Sequence, residues 1–327
     1  MELPAPLRQA LERELEGVPL IDLQRATETL SRRYRAEMRD GRMHLSGDIA
    51  VKAYLASRLP ATYAAIRASM AMIAEAWPDF APATLLDIGA GPGTALWAAA
   101  DCWPSLDNAV LIEASSAARR AGEALAVASP VRRTWIAADA TAGLPDLGSA
   151  ELVTLSYLLD ELPPAAIGRL IERLWALSAD TLLVVEPGTP AGWARILDVR
   201  ARLIAAGGHI VAPCPHSAPC PLAAPDWCHF SRRVARSRLH RLTKGADVPW
   251  EDEKFIYLAA SRQPATARGA RVLAPPRSAS GRVGLKLCNT DGTASDRQFS
   301  KRDGAVYKQA RRLDWGDLFE NAEDSTG

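Results

Sequence analysis

Apolar residues recur at three- and four-residue intervals through the first 75 positions of the chain. LRQALERELEG and IDLQRATETLSRRYRAEM carry this spacing together with abundant helix formers, which predicts amphipathic helices. DIAVKAYLASRLPATYAAIRASMAMIAEAW continues the pattern, and Pro60 marks a break or kink in it. The expectation is a helical region over 1–75 that leads, as a lid or platform, into the next domain.

From about residue 82 short apolar runs alternate with helical ones. ATLLDIGA, NAVLIEAS, TWIAADA, ELVTLSYLLDELP, TLLVVEPG, GHIVAPC and KFIYLAASR read as strands. TALWAAADCW, SAARRAGEALAVA, IGRLIERLWALS and GWARILDVRARLIAAG read as helices between them. This order predicts an α/β domain over 76–262: a seven-stranded, mainly parallel sheet covered on both faces, with an antiparallel last strand. A proline- and cysteine-rich insertion over 213–250 interrupts the pattern before that last strand, and its prolines argue against a regular helix or central strand. Short strand-like runs broken by Gly, Asp and Asn then predict a basic β module over 263–327, ending in a frayed NAEDSTG tail.

Composition changes this picture little: 48% apolar and 24% charged residues are ordinary for a globular chain of 327. No apolar run approaches the ~20 residues of a membrane span. The N-terminal segment has neither a secretory core nor an Arg-rich, acid-poor leader, so a reducing cytoplasm and no membrane partner are expected. Charge changes it more. Residues 229–312 hold 19 Lys+Arg against 7 Asp+Glu, or +12, whereas the remainder holds 20 against 31, or −11. Such a basic third suits a polyanion or a solvated face, and Arg232, Arg233, Arg236 and Arg238 are candidate polyanion contacts within it.

Candidate chemistry begins with Asp87-Ile-Gly89-Ala-Gly91-Pro-Gly93, between a predicted strand and a predicted helix. Glycines there allow a sharp turn and close approach of the backbone to a ligand. Glu113 ends the next strand, where a carboxylate can hold both ribose hydroxyls. Asp139 ends the third, where it can meet an adenine amino group. The alternating GxGxG differs from the GxGxxG of dinucleotide sites and suits S-adenosylmethionine (SAM), which has no phosphate to seat; a nucleotide fold with a dead site is the alternative. Asp160 and Glu161 are candidates for a base or a substrate contact, or else for capping the helix that follows. The Asn/Asp-Pro-Pro-aromatic signature of amino-methylating enzymes is missing there.

Cys214, Cys220 and Cys228 follow a C-x5-C-x7-C spacing, and Cys288 comes 59 residues later. Zinc ribbons use closer pairs, whereas iron–sulfur clusters tolerate looser spacing, so a [4Fe–4S] cluster is expected before zinc. His216 and His229 are spare candidate ligands, and four separate buried thiols remain an alternative. Cys102 reads as an ordinary core residue of an alanine-rich helix.

PCPHSAPCPL, DWCHFSRRV, LHRLTKG, PWEDEKFIYLAASR, LCNTDG and YKQARRLDWGDL, with LLDIGAGPGTALWAA, SYLLDELP and VVEPGTPAGW upstream, resemble a methyltransferase-like family of the ribosomal small subunit. The resemblance covers nearly the whole chain. It implies a Rossmann-like SAM methyltransferase fold and a role in small-subunit assembly or translation, as a monomer binding small-subunit ribosomal RNA. Carried over residue by residue, it implies SAM at Asp87, Gly89, Gly91 and Gly93, and a four-cysteine iron–sulfur site at Cys214, Cys220, Cys228 and Cys288. It further implies a bacterial, cytoplasmic member of a family whose eukaryotic branch works in the mitochondrial matrix.

Overall fold

The computed structural model describes residues 1–36, 44–140, 142–265 and 269–320; the tail expected at 321–327 lies outside the described residues. Its first part is helical: α1 (Ala5–Leu15), α2 (Leu20–Arg35), α3 (Asp48–Ser57) and α4 (Leu59–Ala76). Leu7, Ala10 and Leu11 of α1 and Leu23, Thr27 and Leu30 of α2 are the buried positions, at the three- and four-residue spacing of the sequence. The break at Pro60 separates two helices: α3 stops at Ser57, and Pro60 sits in the first turn of α4, where a missing N–H leaves no helical bond unmade. The alanine-rich α4 is buried on nearly every side and packs on α5.

The elements that follow are β1 (Thr84–Ile88), α5 (Thr94–Cys102), β2 (Asn108–Ile112), α6 (Ser116–Leu125), β3 (Arg132–Ile136), β4 (Ala150–Ser156), α7 (Pro164–Leu177), β5 (Ser178–Pro187), α8 (Pro190–Ala205), β6 (His209–Ala212), β7 (Phe230–Ala235), α9 (Arg238–Lys244) and β8 (Trp250–Ser261). The sheet runs β3-β2-β1-β4-β5-β8-β6. Strands β1 to β5 pair in parallel, and β8 enters antiparallel between β5 and β6. Strand order reverses between β1 and β4, which opens a crevice at the carboxyl ends of these two strands.

The sheet has eight strands among the described residues, not seven. The extra one, β7, lies inside the segment expected to be irregular, and so does α9. Strand β8 is 12 residues long; its second half pairs with β5 and β6, while its first half, Trp250–Phe255, pairs with β7. Phe230 and Val234 of β7 are buried, but two arginines stand between them and conceal the alternation in the sequence.

The C-terminal module contains β9 (Ala270–Val272), β10 (Arg277–Ala279), β11 (Arg282–Cys288), β12 (Ala294–Ser300), α10 (Gly304–Ala310) and β13 (Leu318–Phe319). Its sheet runs β10-β11-β9-β13, with β12 on β11, and closes over Val272, Val283, Leu285, Leu287, Phe299 and Phe319. Arg271 of β9, 1% exposed, joins it to the rest. Its Nη1 donates to Glu75 of α4 at 3.0 Å and to the Gly316 carbonyl at 2.7 Å, and its Nε donates to the Pro213 carbonyl at 3.1 Å.

Candidate functional site: a cofactor cavity and a four-cysteine cavity

A cavity of about 570 Å³ opens at the crevice between β1 and β4. Asp87, Gly89, Gly91, Glu113, Asp139 and Glu161 line it, and Ala138 and Ala140 flank Asp139. Gly93 does not line it; it sits just behind, as the residue that starts α5. The loop folds as it does because Gly89 and Gly91 adopt φ of +66° and +53°, a left-handed backbone that side-chain-bearing residues avoid. A side chain at Gly89 would also press on Leu158.

Glu113 braces this loop. Its Oε2 accepts the Gly91 amide at 2.8 Å, and its Oε1 accepts the Ser115 amide at 2.7 Å. Burial raises its pKa against the lowering effect of those amides. Asp87 accepts the Thr154 hydroxyl at 2.7 Å, and burial, ahead of the nearby charge of Glu113, pushes its pKa up to about 7. Glu161 is pushed up to about 8, first by burial and then by Asp160. Asp160 is itself buried but faces a neighbouring cavity. Neither acid caps α7: that helix starts behind Pro163 with no side-chain cap. The capping role suggested by sequence is therefore not the one they play; the Pro163-Pro164 pair sets the helix start instead.

Sequence reasoning missed the opposite wall. Tyr34, His44, Leu45, Tyr54, Thr62 and Ile66, from the N-terminal helices and the segment before α3, close the cavity. His44 stacks on Tyr34 with ring centroids 4.7 Å apart and stands 3.7 Å from Glu161. A second cavity, of about 840 Å³, shares Tyr34, Tyr54, Thr62 and Tyr157 with the first. Tyr157, at φ +55°, donates to Glu253, which also holds Arg58 through two hydrogen bonds of 3.0 and 3.3 Å. Beneath them Glu186, fully buried, accepts from Arg195 Nε at 2.6 Å and from the Leu159 amide at 3.2 Å. The positive φ of Tyr157 is invisible in sequence, whereas Glu186 carried a signal as a charge in the apolar β5.

Cys214, Cys220, Cys228 and Cys288 all line one small cavity of about 30 Å³, with Arg200 and His216 beside them. His216 Nε2 lies 3.3 Å from the Cys288 sulfur, whereas His229 stacks on Trp227 away from the cavity wall. Cys102 is on α5, apart from this group. Burial, then the other three thiols, raises the pKa of Cys228 far above the ordinary range, and burial first pushes Cys288 up to about 12. Among the described residues no three His, Cys, Asp or Glu side chains are grouped closely enough to hold one metal ion. The charge around the cavity is nonetheless informative. Arg200, on α8, is 5% exposed and no carboxylate pairs with it among the described residues. Its Nη2 donates to the His216 and Ala218 carbonyls at 2.7 and 2.8 Å, while its buried Nε has no partner. A buried cation with an orphan donor is costly unless an anion compensates it. Four thiolates around a metal–sulfur centre would supply such negative charge.

The four arginines expected to face RNA are not all free. Arg233 pairs with Asp252 at 2.9 Å and Arg236 with Glu251 at 2.9 Å, because β7 lies in register against the Glu251-Asp252-Glu253 run of β8. Arg232 donates to the Trp315 carbonyl, and Arg238 is exposed in the first turn of α9.

Strand order, glycine loop and acids at successive strand ends define a methyltransferase-like α/β fold. The chain belongs to the family described as mitochondrial small ribosomal subunit Rsm22, whose model matches residues 48–320. It is 27% identical over 294 residues to the human mitochondrial ribosome assembly protein METTL17, covering 81% of this chain and 61% of that protein. It is 23% identical over 341 residues to the mitochondrial Rsm22-cox11 tandem protein 2 of Schizosaccharomyces pombe, covering 87% of this chain and 45% of that protein. The chain thus spans about half to three-fifths of the curated relatives it matches. Among solved structures it is similar to the magnesium protoporphyrin IX methyltransferase of Synechocystis PCC 6803 with bound SAH: 15% identity, TM-score 0.42, 72% of this chain and 94% of that one.

Proposed function

We propose that this chain binds SAM in the cavity at the β1–β4 crevice and serves in assembly of the small ribosomal subunit, in contact with its RNA. The observation that carries the reading is the convergence of Asp87, Gly89, Gly91, Glu113 and Asp139 on one cavity in a member of the Rsm22 family. In it the loop backbone at Gly89 and Gly91 cradles the cofactor, Glu113 holds the ribose hydroxyls, and Asp139 meets the adenine amino group. SAM when bound supplies an electrophilic methyl group; the protein has to align a nucleophile with it. The adjoining cavity that shares Tyr34, Tyr54 and Tyr157 is where an acceptor would enter. Both relatives are named as mitochondrial; a bacterial cytoplasmic setting for this chain is part of the reading, as is a monomeric free state.

Cys214, Cys220, Cys228 and Cys288 would hold a [4Fe–4S] cluster, with zinc as the second choice. What supports this reading is that the four cysteines line one cavity. The centre would clip the C-terminal module, through Cys288, to the segment after β6.

A second reading, SAM binding without methyl transfer, draws on the burial of the acid that lines the cofactor cavity beside the adjoining one. Burial pushes the pKa of Glu161 up to about 8, so only a minor fraction of it is ionised and ready to act as a base at pH 7. The experiment is incubation of the full chain with methyl-labelled SAM and either small-subunit RNA or its precursor particles. Label transferred to RNA establishes the enzyme. SAM binding without transfer on any precursor leaves the non-catalytic assembly factor, and absence of SAM binding defeats both.

A further inference from the structure

We infer that the RNA-facing surface of this chain is the corner of the C-terminal module built by the β11–β12 edge, the turn after it and α10, and not the arginines of β7. The inference rests on the proposal that the partner is small-subunit RNA. Its basis is how the two basic stretches are compensated. On β7 and just past its end the charge is cancelled in place: Arg233 faces Asp252, and Arg236 shares Glu251 with Lys244.

The module is arranged differently. Residues 282–312 hold eight Lys+Arg against three Asp+Glu, a balance of +5. Arg282, Arg297, Lys301, Arg302, Lys308 and Arg311 are all exposed, and none has a carboxylate partner among the described residues. The acids nearby are spent on backbone turns. Asp303 closes a capping box with Ser300, accepting its amide at 2.6 Å. Asp291 accepts the Thr293 amide and hydroxyl at 2.8 and 2.7 Å. Asp296 is the exception, paired with exposed Arg277.

The bases follow one another along the module, with Arg282 on the opposite face of the sheet from Arg297. Arg282 lies opposite Ser300 across β11–β12, and the Lys301 amide donates to the Gly281 carbonyl at 3.1 Å, so Lys301 and Arg302 follow Arg282 at the strand end. Helix α10 starts directly afterwards and packs on β11 and β12, bringing Lys308 and then Arg311 to the same small module. The guanidinium of Arg297 sits 5.1 Å from the Phe299 ring, and that of Arg311 5.7 Å from the Tyr307 ring. Stacked guanidinium groups with unspent N–H donors are preorganised for phosphate oxygens. An RNA backbone matches this corner in charge, and an acidic protein segment is the competing occupant that the test separates.

The test compares the full chain with two surface variants for binding to naked small-subunit ribosomal RNA over a salt series. The quartet Lys301→Gln, Arg302→Gln, Lys308→Gln, Arg311→Gln is expected to bind at least tenfold more weakly. Its salt slope should be shallower by about 3, since each phosphate left without its basic partner removes roughly 0.7–0.9. The pair Arg233→Gln, Arg236→Gln is expected to stay within about twofold of wild type, since those charges are already paired. Circular dichroism and thermal melts establish that each variant is folded; should the quartet melt early, the single changes Lys301→Gln and Lys308→Gln, each lowering the slope by about one unit or less, replace it. A quartet that binds RNA with wild-type affinity and slope overturns the placement while leaving the RNA partner standing. Wild-type protein that prefers polyglutamate to RNA at equal salt, or binds no RNA, overturns the partner itself.

Discussion

Glu113 and Gly91 are joined across the cofactor loop: the carboxylate at the end of β2 accepts the Gly91 amide at 2.8 Å, while its other oxygen takes the Ser115 amide. One acid therefore fixes the loop and, on the proposed reading, stands at the ribose position. Glu113→Ala is expected to lower stability by about 1.5–3 kcal/mol, the worth of a hydrogen-bonded charge, and to weaken SAM binding at least tenfold. Glu113→Gln keeps one acceptor and should fall between the two. Melting curves and calorimetric titration check this; a Glu113→Ala protein with wild-type SAM affinity would remove the residue from the site.

The buried acids set a pH dependence with a definite sign. Asp87 has a pKa of about 7, and Glu161 and Glu186 of about 8, each raised mainly by burial. Unfolded carboxyls release their protons near pH 4, so between about 4 and 8 the native state holds more protons than the unfolded one. Their contribution is fully present below about pH 4 and is lost as pH rises through 7 to 8. His240 works the other way: burial lowers its pKa to about 4, so its contribution is lost as pH falls from 6.5 towards 4. The melting temperature should accordingly fall from pH 6.5 to 8.5, and Glu161→Gln should flatten that fall. A melting temperature that rises over this window contradicts the assignment.

Two neighbouring arginines of the basic stretch should behave unequally. Arg233→Ala removes an exposed, solvent-screened pair with Asp252 and should leave stability close to that of the wild type. Arg236→Ala opens a more buried cluster in which Glu251 also holds Lys244 at 2.7 Å, and about 2 kcal/mol is expected from the removal of a charge-assisted bond. Chemical denaturation of the two variants distinguishes them; equal effects would mean that the cluster around Glu251 carries no special weight.

Arg200 offers a test of the cysteine cavity that does not touch a ligand. Its buried guanidinium lines the cavity with the four thiols and has no carboxylate partner among the described residues. If they hold a [4Fe–4S] cluster, Cys220→Ser loses iron and destabilises the C-terminal module. Arg200→Gln keeps the cysteines but shifts the reduction potential to more negative values, since a compensating positive charge is gone. Anaerobic purification with iron, sulfide and zinc analysis, followed by a redox titration, reads both. About four irons and as many sulfides per chain are expected in the wild type; zinc without sulfide would make the site a structural zinc centre.

Much of this was legible in the chain, for identifiable reasons. Asp87, Gly89, Gly91, Glu113 and Asp139 could be found because each sits at a strand end, where the α/β alternation fixes position. The cysteines could be grouped because thiols among prolines have no ordinary core role. Strand β7 was hidden, since Arg232 and Arg233 broke the apolar alternation whose inward members are Phe230 and Val234. The far wall of the cavity, Tyr34, His44 and Tyr54, was hidden as well, because nothing in a helix's own sequence says which neighbour its polar edge will meet. Arg233 and Arg236 were misleading for a related reason: net charge over a stretch does not reveal that Asp252 lies across the ladder from Arg233 or that Glu251 pairs with Arg236.

The most direct measurement is a calorimetric titration of the purified full chain with SAM, beside Gly89→Val. The account predicts saturable binding of one SAM per chain in the wild type, and none in the variant, whose side chain cannot adopt the φ of +66° and would press on Leu158. No binding by the wild type, or undiminished binding by a folded Gly89→Val protein, would contradict it.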